Sequence, residues 1–360
     1  MVNRRSFAAG LACAAVMSPQ GSRAATSMTY AEAVRTTWAP LRPDEGVHGI
    51  VRYATLAANS HNTQPWRFTL GPESIVIAPD VSRRCPAVDP DDHHIYVSLG
   101  CAAENLVHAA AALGLRTTLR FDAGAVVADI ERAPAQVSAL FAAIPNRQST
   151  RAAYDGRPVS NDLLRSLEQA GSGEGVTVLL VTDRQQMQRL TDYVVEGNTL
   201  QMRDPKFMEE LKAWMRFNES EAVATMDGLF SRTSGNPALP RWLARPLLPF
   251  VFTERGENDK YRACIESSAG LAVFVADRDD KPHWVEVGRA CQRFALQATA
   301  LGLKNAFVNQ PIEIPDLRRQ LATYLSLGRR LPDLVMRFGA GPELPRSLRR
   351  PVAAVIAQGR

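Results

Sequence analysis

The sequence predicts an α+β fold built twice within one chain, an internal pseudo-dimer. Three observations predict it. Val97 to Leu115 aligns with Val285 to Leu303 at an offset of 188, with eight of 19 positions identical. The helical run Ile50–Ala58 and strand-like Trp66–Leu70 resemble Leu163–Ala170 and Val176–Val181, with Arg52 opposite Arg165 at an offset of 113. The growth of the offset from 113 to 188 leaves the second copy about 75 residues longer, a size that predicts a packed insertion with its own apolar residues.

At 360 residues the chain buries a large core, and its 46% hydrophobic and 22% charged content is that of an ordinary globular protein. The formal charge of +5 includes Arg4, Arg5 and Arg23 at the acid-free N-terminus; the remainder is close to balance, which excludes a nucleic-acid signal. None of the five cysteines forms a Cys-x-x-Cys pair, so no zinc or dithiol site is expected, and Cys101 and Cys291 read as small core residues.

Residues 1–25 read as an export signal. Asn3-Arg4-Arg5-Ser6-Phe7 precedes the apolar run Ala8–Met17, then Pro19, Gly21 and a Ser22-Arg23-Ala24 cleavage site. The twin arginine is of Tat type, which implies the Tat translocase as a partner and a periplasmic location. An unstructured cytosolic N-terminus is the alternative. The apolar run is too short to span a bilayer, and no other window reaches spanning length.

The helix Ile50–Ala58 leads into Ser60-His61-Asn62-Thr63-Gln64-Pro65-Trp66. This dense set of amides and hydroxyls suits one edge of a flat heteroaromatic ring. Asp89-Pro90-Asp91-Asp92-His93-His94 reads as a loop with a helix N-cap; adjacent residues do not converge on one metal ion without an unusual turn. The alanine-rich helices after it, and at the matching place in the second copy, both end at a glycine, Gly114 and Gly302. Asn146-Arg147-Gln148-Ser149-Thr150-Arg151 offers two guanidinium forks and two hydroxyls to a phosphate, or else is a solvated basic turn. A helix over Phe207–Phe217 and a Pro-rich aromatic stretch from Asn236 to Phe250 make up much of the insertion, about 191–262. There is no nucleophile elbow, phosphate-cradling glycine loop or dinucleotide fingerprint.

The Asn62-Thr63-Gln64-Pro65-Trp66 turn, the duplication and the Arg147-x-Ser149-x-Arg151 pattern resemble the nitroreductase-like FMN flavoproteins, in particular the fused subgroup that includes mycobacterial Acg. The resemblance covers roughly residues 30 to 356. It implies two nitroreductase-like repeats, 30–145 and 146–360, each an antiparallel-rich sheet flanked by helices, with the insertion as a lid over one of two clefts. It also implies one FMN in a composite site. Asn59, Ser60, His61, Asn62 and Gln64 would meet the ring or hold the turn; Arg147, Ser149 and Arg151 would take the phosphate and ribityl chain. Gln310 would lie near the ring, and Arg349 or Arg350 would close on the phosphate. This chain departs from the family pattern at Ala58-Asn59, where relatives usually have Pro-Ser, and at His93-His94, where they tend to have Arg-Glu. The second copy has Gly171-Ser172-Gly173-Glu174-Gly175 where the turn stands in the first, and the first has Trp38–Arg42 where the second has the arginines. Each copy would thus supply the half that the other lacks.

The activity implied is FMN-dependent reduction of nitroaromatic, quinone or similar flat acceptors, with no side chain as acid or base. A small-molecule donor is expected, though NAD(P)H is scarce outside the cytoplasm. A non-catalytic FMN-binding or FMN-sequestering protein with an occluded site is the alternative. The internal pseudo-dimer makes a monomer sufficient, with a homodimer as the alternative.

Overall fold

A computed structural model describes residues 28–173 and 175–357. The targeting segment read at residues 1–25 lies outside the described residues. The first half contains α1 (Tyr30–Thr37), α2 (Gly46–Thr55), β1 (Trp66–Leu70), β2 (Ser74–Pro79), α3 (His93–Ala112), β3 (Leu115–Asp122), β4 (Ala125–Arg132) and the short α4 (Ala139–Ala143). The second begins with α5 (Asn161–Gly171) and β5 (Val176–Val181). Then come α6 (Arg184–Arg203), α7 (Pro205–Trp214), β6 (Met215–Arg216), α8 (Glu219–Thr225), β7 (Leu229–Phe230), α9 (Arg241–Val251) and α10 (Glu254–Glu266). It closes with β8 (Gly270–Ala276), α11 (Lys281–Ala300), β9 (Lys304–Phe307), α12 (Pro315–Tyr324), β10 (Pro332–Gly339) and α13 (Val352–Val355).

Each half has one four-stranded antiparallel sheet. The orders β1-β2-β4-β3 and β5-β8-β10-β9 are the same path traced twice. The halves differ mainly where a tight turn joins β1 to β2 while residues 182–269 separate β5 from β8. That run starts directly after β5, earlier than the expected 191.

The seam between the halves is α3 against α11. A Cβ on Gly100 would stand 1.9 Å from the Val285 carbonyl oxygen, and one on Gly288 would stand 2.0 Å from that of Val97. Val97 and Gly100 are the sequence counterparts of Val285 and Gly288, so the contact is self-complementary, as across a two-fold axis. Only glycine permits this approach. Cys101 and Cys291 are buried in the same seam, and the Cys101 thiol donates to Gly288 O at 3.2 Å. Gly114 and Gly302 end the two helices with φ of 78° and 75°, the left-handed cap that glycine adopts without a Cβ clash.

Polar groups fix the register of the seam. Buried Glu104 of α3 meets Arg289 at 3.1 Å and Arg293 at 3.0 Å. Gln292 Nε2 donates to Asn105 Oδ1 at 2.8 Å. One apolar core runs through both halves, joining Ile50, Trp66 and Leu99 to Phe274, Phe294 and Phe338. The outer face of the second sheet has a core of its own: Leu271, Val273, Val275 and Val335 pack with Met187, Leu190 and Val194 of α6 and Leu321 of α12. This accounts for the continuous burial of β8 and β10, whereas β3 alternates half-buried and exposed residues as a one-sided edge strand does.

Two segments pair with the edge strands of the sheets. Within the second half, Thr150 N donates to Asn305 O of β9, and from the second half to the first, Ala357 N donates to Phe68 O of β1 at 2.7 Å. These pairings cover sheet edges and fix the basic turn and the C-terminal tail.

Candidate functional site

Two adjoining cavities lie where α2, α3, the C-terminal tail and the 182–269 run meet. The larger encloses about 250 Å³ and the smaller about 40 Å³. Ala58, Asn59, Arg151 and Leu229 line both.

The turn at their junction has an unusual backbone. His61, Asn62 and Gln64 take φ of 46°, 53° and 54°, left-handed values that side chains disfavour. Four hydrogen bonds hold it there. Asn59 Oδ1 accepts from Gln64 N at 2.8 Å. Asn62 Nδ2 donates to Gly228 O at 3.1 Å and Leu348 O at 3.2 Å, and Gln64 Nε2 donates to Met226 O at 2.9 Å. The turn therefore fastens the 182–269 run and the C-terminal tail to the first half.

The smaller cavity is cationic. Arg147, Arg151, Arg346 and Arg349 line it, with Trp38, Asn62, Gln148 and Ser149. Arg147 and Arg349 are buried, and neither forms an ion pair with a carboxylate among the described residues. Arg349 is held by the carbonyls of Thr55, Leu56, Ala57 and Leu348 and by Asn62 Oδ1. Arg147 donates from Nη2 to Leu56 O at 3.1 Å, but its Nε and Nη1 are buried without a partner. Burial lowers the Arg147 pKa to about 10; burial and then the neighbouring Arg147 charge lower that of Arg349 to about 9. Arg147 keeps two buried donor nitrogens unpaired, while the N–H groups of Arg349 beside it are all taken by neutral protein oxygens; two desolvated charges without a counter-ion call for an anion. The residues present therefore fit a phosphate group.

The larger cavity is more apolar. Phe207, Leu211, Met215 and Phe252 of the 182–269 run line it. Ser60, His61, His94, Gln310 and Glu313 add its polar lining. Burial lowers the His61 pKa to about 4, and its Nδ1 lies 3.6 Å from Cys85 Sγ. His94 Nε2 sits 3.4 Å from Glu313 Oε1, and Gln201 Nε2 donates to Glu313 Oε2 at 2.5 Å. Burial alone would lower the His94 pKa, but its bond to Glu313 raises it overall, and Glu313 is held low by the reciprocal effect against its own burial. Gln310 Nε2 donates to Tyr261 Oη at 2.6 Å, leaving its Oε1 buried and unpartnered.

Of the residues expected here, Asn59, Ser60, His61, Arg151 and Gln310 line the larger cavity; Asn59, Asn62, Arg147, Ser149, Arg151 and Arg349 line the smaller. Gln64 and Arg350 line neither. Gln64 is wholly buried as a clamp, its Oε1 accepting from Arg350 N at 2.8 Å, and the Arg350 side chain turns to Ala354 O and towards Asp80. The expected donor edge is thus largely spent on protein partners. Trp38, Arg346, His94, Glu313 and Tyr261 were not foreseen as site residues. His94 stood in the sequence as part of a capped helix start, and Asp89 does accept from His94 N at 3.1 Å and Ile95 N at 3.2 Å. No cluster of three metal-ligating side chains occurs among the described residues.

Fold and site together define a twice-built α+β protein whose seam holds a cationic cavity beside an apolar one. No family model matches the chain. It is similar to curated proteins that carry provisional NAD(P)H nitroreductase names in two strains of Mycobacterium tuberculosis, H37Rv and CDC 1551. It is 26% identical to each over 333 residues, which cover 87% of this chain and 92% of the relative. Solved structures with a likeness to it include the FMN-dependent nitroreductase NfnB from Mycobacterium smegmatis in complex with NADPH, at 13% identity and a TM-score of 0.42 over 62% of this chain and 98% of that one. A nitroreductase with bound FMN from Desulfitobacterium hafniense gives 14% and 0.38 over 59% and 94%.

Proposed function

We propose that this protein is an FMN-dependent oxidoreductase of nitroreductase type that reduces nitroaromatic, quinone or similar flat acceptors. The observation that carries the reading is the buried, carboxylate-free pair Arg147 and Arg349 lining a small cavity that adjoins a larger, more apolar one. That arrangement suits a ligand with an anionic tail and a flat head. The nitroreductase names of the sequence relatives support the same reading.

In this reading Arg147, with Ser149, hydrogen-bonds the phosphate and Arg349 beside it contributes its charge; Arg151, at the junction, spans phosphate and ribityl chain. Asn59 and Ser60 border the ring. Bound FMN supplies the electron transfer. The protein binds and orients it, and Phe207, Leu211, Met215 and Phe252 exclude water from the chamber. Neutral His61 adds no charge there. The ion pair of His94 and Glu313 supplies a fixed dipole at the chamber wall.

The 182–269 run supports a lid role, since it lines one wall of the chamber. It also supports a second reading, a non-catalytic FMN-binding protein whose site that wall occludes. We propose export by the Tat route from the Arg4-Arg5 segment, with a donor other than NAD(P)H in the periplasm.

An absorption spectrum of the purified protein tests the first step: a flavin spectrum is expected, and a colourless preparation that does not bind added FMN sinks the proposal. Anaerobic reduction followed by addition of a quinone or nitroaromatic tests the second. Rapid reoxidation supports the enzyme; a flavin inert to reductant and acceptor supports the occluded site.

A further inference from the structure

Helix α9 presents an apolar surface that the function above does not use. Of nine large hydrophobic side chains exposed among the described residues, four lie on this 11-residue helix: Trp242, Leu247, Phe250 and Val251. Trp242, Phe250 and Val251 are 77%, 79% and 72% exposed. Only Ala244 and Leu248 point inward, packing with Phe217 against the half-buried Met215 and Phe252. Met215 and Phe252 also line the larger cavity, so the helix sits on that chamber's outer wall.

We infer that α9 docks this protein onto the surface of an anionic lipid bilayer. The stretch from Asn236 to Thr253 contains two arginines and no acidic residue. Arg245 is exposed and forms no ion pair among the described residues, while Arg241 leans on Glu221 at 3.2 Å and over the Phe217 ring. Exposed aromatic and aliphatic side chains beside arginine are the composition of helices that lie in the headgroup layer. At about 1.5 Å per residue the helix is roughly 16 Å long, about half the hydrocarbon thickness, so it lies on the membrane and does not span it. A second copy of the chain fits less well. Self-pairing would set two such faces together, where the neighbouring acid Glu221 is already engaged by Arg241, leaving Arg245 without a counter-charge, which anionic headgroups supply. Docking puts the apolar chamber next to the bilayer.

Co-sedimentation of the full chain with vesicles tests this, using phosphatidylcholine alone and phosphatidylcholine mixed with phosphatidylglycerol. Wild type should sediment with the mixed vesicles and be released by salt. The double variant W242S/F250S should bind about tenfold more weakly, since each ring loses its burial in lipid. R245E should weaken binding about fivefold or more. All three proteins share residues 1–27, so those residues do not account for a difference, and the substituted side chains are exposed, so the fold is retained. Unchanged thermal unfolding of both variants checks that. The inference is overturned if wild type stays in the supernatant, if both variants sediment like wild type, or if neutral vesicles bind equally well. It is also overturned if these residues instead drive concentration-dependent self-association without vesicle binding.

Discussion

Arg349 donates from Nη1 to Asn62 Oδ1 at 2.9 Å, joining the C-terminal tail to the turn near the start of the chain. The bond orients Asn62 so that its amide nitrogen faces Gly228 and Leu348. It also holds Arg349 beside Arg147, with only carbonyl oxygens to balance either charge. The protein has built a cationic cavity at the expense of its own stability, which makes sense if an anion completes it.

Replacing Arg147 with Met should therefore separate binding from folding. FMN affinity should fall about tenfold to a hundredfold, the range for losing charged hydrogen bonds. The ligand-free variant should be no less stable than wild type, because a desolvated cation has been removed. Fluorescence titration and thermal unfolding measure the two, and an unchanged affinity would remove Arg147 from the binding site.

Gly288→Ala places a methyl group 2.0 Å from the Val97 carbonyl oxygen, with backbone on both sides of the clash. The helices must separate, at a cost of about 3 kcal/mol or more. Gly100→Ala should cost a similar amount by the same symmetry. Urea denaturation checks both; a variant as stable as wild type would show that the seam is looser than described.

Glu104 links stability to pH. Burial raises its pKa, but the His108 bond and the Arg293 and Arg289 charges outweigh that and bring it from 4.5 to about 2. A folded value below the unfolded one stabilises the protein above the unfolded pKa. That contribution is lost as pH falls from about 4.5 towards about 2. Its full size is about 3 kcal/mol by linkage. Glu104→Gln should remove most of it at pH 7 and flatten the stability profile below pH about 5, as read from unfolding midpoints at each pH.

His61 should stay neutral throughout the physiological range. Burial holds its pKa at about 4 against an ordinary 6.5, so its contribution to stability is present above pH 6.5 and fades as pH falls towards 4. NMR of ring-labelled histidine should give a His61 resonance, assigned by its loss in His61→Gln, that does not titrate between pH 5 and 8. FMN binding should carry no inflection from it there, and a ring titrating near 6.5 would refute the buried position.

Much of the fold could be read from short-range features. The helices at 97–112 and 285–300, their glycine ends and the strands at 66–70 and 176–181 follow from small-residue spacing, periodicity and left-handed caps. Those constraints act over a few residues. Arg147 was legible too, since two arginines and two hydroxyls in six residues already form a phosphate-like donor set.

The partnerships of the turn were not legible. Asn62 and Gln64 looked like ligand donors, but their amides are taken by Gly228, Met226, Leu348 and Arg350. Those partners lie more than 160 residues away, and nothing local distinguishes a free amide from a satisfied one. Tertiary folding also chose Arg349 over Arg350 for the cavity and added Trp38 and Arg346. The sequence determined which segments become helix or strand and that the pattern occurs twice, because those are matters of backbone geometry and period. Only the packed structure decided which polar atoms remain unpaired, because hydrogen-bond and charge balance depends on the neighbours that packing brings together.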